Sequence, residues 1–293
     1  MWAFGGGKGG VGKSVITSSL GIALARQGKR CILIDADLGG ANLHTLMGIP
    51  YPRFTLTDFI LRKVSTLAET LVPTSLPNLQ LISGSKALLE MGNLHHAQKI
   101  KIIRQLFELE ADYILLDLGA GSAFNNLDFF LAAHERVMVV VPTPTSVENA
   151  YHFLKAAYYR RLKQAIRCAG PGKEIERYLE EKVSLGIRSP GQFMARLMET
   201  SPKSGAVIRK AMQGFSPKLI VNQVQNVEEV SLGDQMVVAC RDFFGIEMGY
   251  LGNVKSDECV LRAIQMRRPV LEAFPGSPFV SAINGITRRL VGD

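Results

Sequence analysis

The chain has 293 residues, 47% hydrophobic and 20% charged, a balance that supports a large core and excludes a disordered or collagen-like polymer. Its four cysteines (Cys31, Cys168, Cys240, Cys259) form no C-x-x-C pair, which argues against a zinc site and a disulfide framework and for a reducing compartment. The net charge of +8 is uneven: residues 155–218 hold 14 Lys and Arg against 5 Asp and Glu, whereas the remainder holds 20 against 21.

Trp2-Ala3-Phe4 reads as a strand stub, short enough that residues upstream of this numbering are expected. It runs straight into glycines, so no secretory leader is expected. Gly7-Lys8-Gly9-Gly10-Val11-Gly12-Lys13-Ser14 then matches the phosphate-loop pattern G-x-x-x-x-G-K-[ST] at every fixed position. Residues without a Cβ let the backbone curl its N–H groups round a triphosphate. Lys13 is placed to reach the β- and γ-phosphates, and Ser14 to set its hydroxyl on Mg²⁺. The segment from Val15 to Arg26 reads as a helix whose N-terminus favours the anion. The expected nucleotide-binding set is Gly7, Gly9, Gly10, Val11, Gly12, Lys13, Ser14 and Val15.

Gly28-Lys29 ends that helix. Arg30 to Asp35 is an apolar run of buried-strand type, followed by the polar loop Asp35 to Asn42. A helical period is expected over residues 51–71, a short strand at Leu79–Ile82 and a helix over Lys99–Leu109. Tyr113 to Asp117 is a buried strand ending in an acid, Asp117, the expected second Mg²⁺ ligand beside Ser14. Further strands are expected at Arg136–Val141, Leu219–Asn222 and Tyr250–Val254. Between them, residues 155–218 read as a basic helical insertion on one edge, with helices near Ala150–Cys168, Lys173–Leu185, Pro190–Met198 and Ser204–Met212. It has too few apolar residues for a core of its own. Strands rich in Val, Ile and Leu alternating with helices predict an α/β fold: one doubly wound, mainly parallel sheet spanning residues 1–293 as a single domain. Such sheets bind ligands beyond the carboxyl ends of their strands, where each acid and glycine loop lies. No window approaches 18 uninterrupted apolar residues, so no membrane span is expected.

Lys8, a second lysine inside the loop, makes this stretch resemble the deviant Walker A loop of the MinD/ParA family of ATPases. The resemblance covers Trp2 to Tyr151 and Leu219 to Leu290, and is closest to the MinD-like regulators of flagellar number and placement. It implies ATP and Mg²⁺ as ligands and a homodimer in which Lys8 reaches the partner's nucleotide. It implies that Asp37, in a D-x-D-x-G-like stretch, positions the attacking water, with Lys8 and Lys13 completing the catalytic set. It implies that Asn222 reads the adenine edge, an offer its amide chemistry suits. Here Gly119 stands where the family usually has Pro or a small residue after the magnesium acid. The iron–sulfur carriers related to the family use a C-x-x-C pair that this chain lacks.

The implied activity is slow, partner-stimulated ATP hydrolysis in a cytoplasmic dimerisation switch that positions a flagellum or division site. A protein activator is the implied partner, and two surface partners stay open. The tail Phe279–Asp293 places Ile283, Ile286, Leu290 and Val291 on one face with Arg288-Arg289 opposite, which would suit peripheral contact at the inner face of a membrane or the last core helix. The cluster Tyr158-Tyr159-Arg160-Arg161-Leu162-Lys163 would suit nonspecific DNA in a ParA-like partition ATPase, or a solvated face.

Overall fold

The computed structural model describes residues 1–37, 40–50, 52–84, 94–169 and 189–292. Eight strands form one sheet in the order β3-β4-β2-β5-β1-β6-β7-β8. They are β1 (Trp2–Gly5), β2 (Cys31–Ala36), β3 (Val72–Pro73), β4 (Leu79–Ile82), β5 (Tyr113–Leu118), β6 (Glu135–Val140), β7 (Lys218–Val224) and β8 (Gly249–Lys255). Every pairing is parallel except β3 with β4.

The strands read as unbroken apolar runs because successive side chains enter opposite cores. Ala3, Ile32, Ile34 and Leu116 face one core; Trp2, Phe4, Leu33 and Leu115 face the other. The second core is closed by α1 (Lys13–Arg26), buried from Ile16 to Ala25, and by the last helix, α13 (Pro278–Val291). Ile283, Ile286 and Leu290 of α13 lie within that core. The apolar face of the tail is therefore occupied by core packing.

Between β2 and β3 lie two short helices, α2 (Leu43–Leu46) and α3 (Leu56–Ile60). The helical period expected over 51–71 yields only α3 and a 3₁₀ turn at Leu67–Thr70. Thr55 and Asp58 form a capping box at the start of α3, and Arg62, at φ 60°, turns the chain out of the helix just past its end.

The other face carries α4 (His96–Phe107), α5 (Phe124–Ala132) and the long α6 (Pro144–Ala169). Helix α6 begins six residues before the expected Ala150. Phe153, Ala157, Tyr158, Leu162 and Ile166 line the core, so Lys155 sits within a domain helix. Two further helices, α7 (Pro190–Thr200) and α8 (Pro202–Met212), bring Phe193, Leu197, Ile208 and Met212 into the core that holds Met138 and Leu219. The helix expected at Lys173–Leu185 lies outside the described residues. Beyond β7 come α9 (Val227–Val230) and α10 (Leu232–Phe244), then, after β8, α11 (Glu258–Gln265) and α12 (Val270–Ala273). No helix among the described residues is long and apolar enough to cross a membrane.

Candidate functional site

The sheet places β1 between β5 and β6, so the loop leaving Gly5 crosses the carboxyl edge beside the end of β5. A cavity of about 480 Å³ opens there. Gly9, Gly10, Gly12, Lys13, Ser14 and Val15 form one wall; Asp35, Asp37 and Asp117 form another. Asn222, Lys255 and Leu261 stand on the remaining side.

Two glycines show why the loop needs its sequence. Gly12 caps α1 at φ 85°, and a Cβ there would meet Asn222 Nδ2 at 2.4 Å. A Cβ on Gly7 would lie 2.0 Å from the Asn149 carbonyl oxygen. The loop is thus clamped between β7 and the first turns of α6. Val11 is buried, and its carbonyl accepts a 2.9 Å bond from Asn222 Nδ2. One donor of the amide expected at the adenine edge therefore holds the loop itself.

Lys13 is buried and its ammonium lies 3.5 Å from the Lys8 carbonyl. Burial lowers its pKa, and the charges of Asp117 and Asp37 pull it back up. Lys8 turns the other way: its ammonium donates to Thr145 Oγ1 at 3.0 Å, at the start of α6.

Asp35 and Asp117 are register partners across β2 and β5. Burial pushes Asp117 up to about 7, the Asp35 charge adds to this, and the neighbouring Ser14 hydroxyl opposes it. Burial likewise pushes Asp35 up to about 6, against the N–H groups of Leu43 and Asp37 that donate to it at 2.9 and 3.1 Å. Asp35 is thereby tied to the fold. Asp117 Oδ1 is buried with no hydrogen-bond partner among the described residues. A buried anionic oxygen left unpaired beside a serine hydroxyl is the donor chemistry of a hard cation such as Mg²⁺.

Asp37 Oδ1 accepts from the Gly40 N–H at 3.1 Å. A Cβ on Gly119 would lie 3.1 Å from the same oxygen, so the glycine after Asp117 leaves room for the Asp37 carboxylate.

Two residues escape sequence reasoning. Asn126 Nδ2 lies 3.0, 3.2 and 3.1 Å from the carbonyl oxygens of Gly119, Ala120 and Gly121 and holds the loop after Asp117. Asn149, whose amide donates to Thr145 O at 2.7 Å, backs the phosphate loop through its main chain. The one signal for Asn126 is an amide in the first turn of a helix after an acid–glycine loop; nothing signals Asn149.

The DNA-directed cluster is largely spent inside the fold. Tyr158 is buried, Arg160 Nη2 pairs with Asp128 at 2.8 Å, and Arg161 donates to the Ala211 carbonyl at 3.2 Å. Lys163 is exposed.

Comparison with known proteins gives a consistent picture. The family model described as "ParA: NUBPL iron-transfer P-loop NTPase" matches residues 2–165. Antiactivator FleN of Pseudomonas aeruginosa is 28% identical over 290 residues, covering 97% of this chain and 84% of that protein. Septum site-determining protein MinD of Helicobacter pylori is 30% identical, covering 98% and 88%. Among solved structures, the septum site-determining protein MinD of Pyrococcus horikoshii complexed with Mg-ADP superposes with a TM-score of 0.64 at 19% identity, over 99% of this chain and 94% of that one. A putative plasmid partition protein of Borrelia burgdorferi bound to AMPPNP gives 0.66 at 17% identity, over 99% and 98%.

Proposed function

Because this chain belongs to the ParA/MinD family of P-loop NTPases, we propose that it is an ATP-binding and ATP-hydrolysing dimerisation switch that sets the position of a cellular structure, a flagellum or a division site. The observation that carries the reading is the convergence of Lys13, Ser14, Asp37 and the unpaired Asp117 Oδ1 in one cavity behind a glycine loop.

In this reading the loop N–H groups and the α1 N-terminus bind the triphosphate of ATP, and Lys13 contributes a positive charge to the β- and γ-phosphates. Ser14 and Asp117 would hold Mg²⁺, which offsets phosphate charge when bound. Asp37 orients the attacking water; little covalent help is required because the phosphoryl transition state is dominated by positioning and electrostatics. Asn222 positions the loop with one amide hydrogen and has its remaining polar atoms for the base. Lys8 completes the partner's site in the dimer, and its neutral, exchangeable Thr145 partner suits a group that must change address. Leu261 and Ile264, exposed at the cavity mouth, supply apolar surface for a second copy to cover.

The test is calorimetric titration with Mg-ATP beside a phosphate-release assay. Lys13→Ala should weaken binding by about 100-fold, roughly 2.7 kcal/mol. Asp37→Ala should bind ATP normally while turnover falls by about 100-fold. Normal turnover by Asp37→Ala would remove Asp37 from the reaction. The partition alternative uses the basic insertion; of its cluster Arg160, Arg161 and Lys163 the first two already hold internal partners, so the positioning switch is the reading supported best.

A further inference from the structure

A second concave site of about 620 Å³ lies away from the nucleotide cavity. Its floor includes Met47, Leu71 and Pro269. Its rim carries Arg53, Arg267 and Arg268, all exposed. None of these guanidinium groups forms an ion pair with a described residue; Arg53 lies over the Phe54 ring, 5.1 Å from its centroid. Among the described residues the one rim carboxylate, Glu272, takes a 3.4 Å contact from Ser75 Oγ instead. Three arginines with no ion pair among the described residues, set around an apolar floor, match carboxylates interleaved with apolar side chains, since guanidinium groups bind carboxylates in bidentate fashion. A duplex backbone offers no apolar side chain to that floor.

One side of the groove is the chain after α2, which follows Asp37, Gly40 and Asn42 of the nucleotide cavity. The other is the chain after α11, whose Val260, Leu261 and Ile264 line that cavity. The two sides touch at one tight point: a Cβ on Gly48 would sit 2.7 Å from the Arg267 carbonyl oxygen. Arg267 is held at φ 50°, an unfavourable backbone conformation for arginine.

We propose that this groove docks an acidic segment of a protein partner, anchored by apolar side chains, and that docking shifts both walls of the nucleotide cavity. The second half rests on the ATPase reading above; the first does not. A ligand that binds both sides of the groove alters the cavity only through a differential affinity for its arrangements, so binding and turnover are measured separately.

A phage-displayed library of random twelve-residue peptides, selected against the nucleotide-free full chain, supplies the probe. Enriched peptides are then followed by fluorescence anisotropy. The expected peptides carry several Asp or Glu with at least one large apolar residue. Arg53→Glu with Arg268→Glu should weaken them at least tenfold, Arg53→Lys with Arg268→Lys should retain part of that affinity, and any change that Mg-ATP makes in their affinity should level off once nucleotide saturates. Neutral or basic peptides, unchanged affinity in the Glu pair, or strictly competitive displacement by Mg-ATP, with peptide affinity falling without limit as Mg-ATP rises, would each overturn the docking site. So would loss, in the Glu pair alone, of binding to a 30-base-pair DNA duplex, which would make the groove a nucleic-acid site. A twofold or larger change in ATP turnover at saturating peptide supports the coupling; an unchanged rate removes it and leaves the docking result standing. Peptide binding by a chain that fails to bind ATP would sink the ATPase reading alone.

Discussion

At pH 8 the buried Asp117 carboxylate is charged and faces Asp35 across the strand pair. Its pKa of about 7 in the fold stands above the ordinary 3.8, so between those values the folded protein holds a proton that the unfolded chain has lost. Stability of the nucleotide-free protein therefore falls as pH rises from about 4 to about 7, and the raised pKa of Asp35, about 6, adds to the same slope. Asp117→Asn should stabilise the nucleotide-free protein at pH 8 by about 1–3 kcal/mol, the usual cost of an unsatisfied buried group. In thermal melts it should flatten the pH dependence, and calorimetry should show Mg²⁺ no longer tightening nucleotide. A melt that drops at pH 8 in the variant would show that the charge is already compensated. Lys13, Ser14 and Asp117 were legible because the chemistry fixes their spacing or their place at a strand end. Asn126 and Asn149 were not, because they reach the loops they hold only once the chain has folded.

Helices α4, α5 and α6 are locked to one another by charge. Asp128 of α5 pairs with Lys99 Nζ of α4 at 2.7 Å and with Arg160 Nη2 of α6 at 2.8 Å, all three side chains largely withdrawn from solvent. Asp128→Ala leaves two cations without their counter-charge and should cost about 3–5 kcal/mol in denaturant unfolding. Loss of under 1 kcal/mol would mean that water already screens the cluster. The same geometry decides how Arg160 is to be read: its neutralisation damages helix packing, so a lost gel shift in that variant would not report a DNA surface. This is the part of the insertion that sequence obscured. A run of basic residues looks solvated until an acid from another helix is brought against it, and Asp128 is 32 positions from Arg160. The strands were legible because both of their faces are apolar, whereas 51–71 misled because its apolar period continues through the turn at Arg62.

For the molecule as a whole, the proposed switch depends on an equilibrium between one chain and two. Lys8→Ala should leave ATP binding by the monomer within about threefold, under 1 kcal/mol, yet abolish the ATP-dependent rise in mass seen by light scattering. Thr145→Ala, which frees the Lys8 ammonium from its own chain, should shift dimerisation to lower protein concentration. A Lys8→Ala protein that dimerises normally with ATP would end the role of Lys8 between subunits.

The Asn126 amide has fewer protons than the oxygens it holds. An amide nitrogen carries two protons, and here it faces three carbonyl oxygens. The amide alone leaves at least one of these bonds shared. Asn126→Asp reverses the sign of the whole arrangement, setting a carboxylate against three oxygens. Hydrogen exchange at residues 119–121 should then accelerate by at least about tenfold, roughly 1.4 kcal/mol of lost protection, while the strand ending at Asp117 keeps its own. Unchanged exchange there would show that the loop is held by its backbone path and not by the amide.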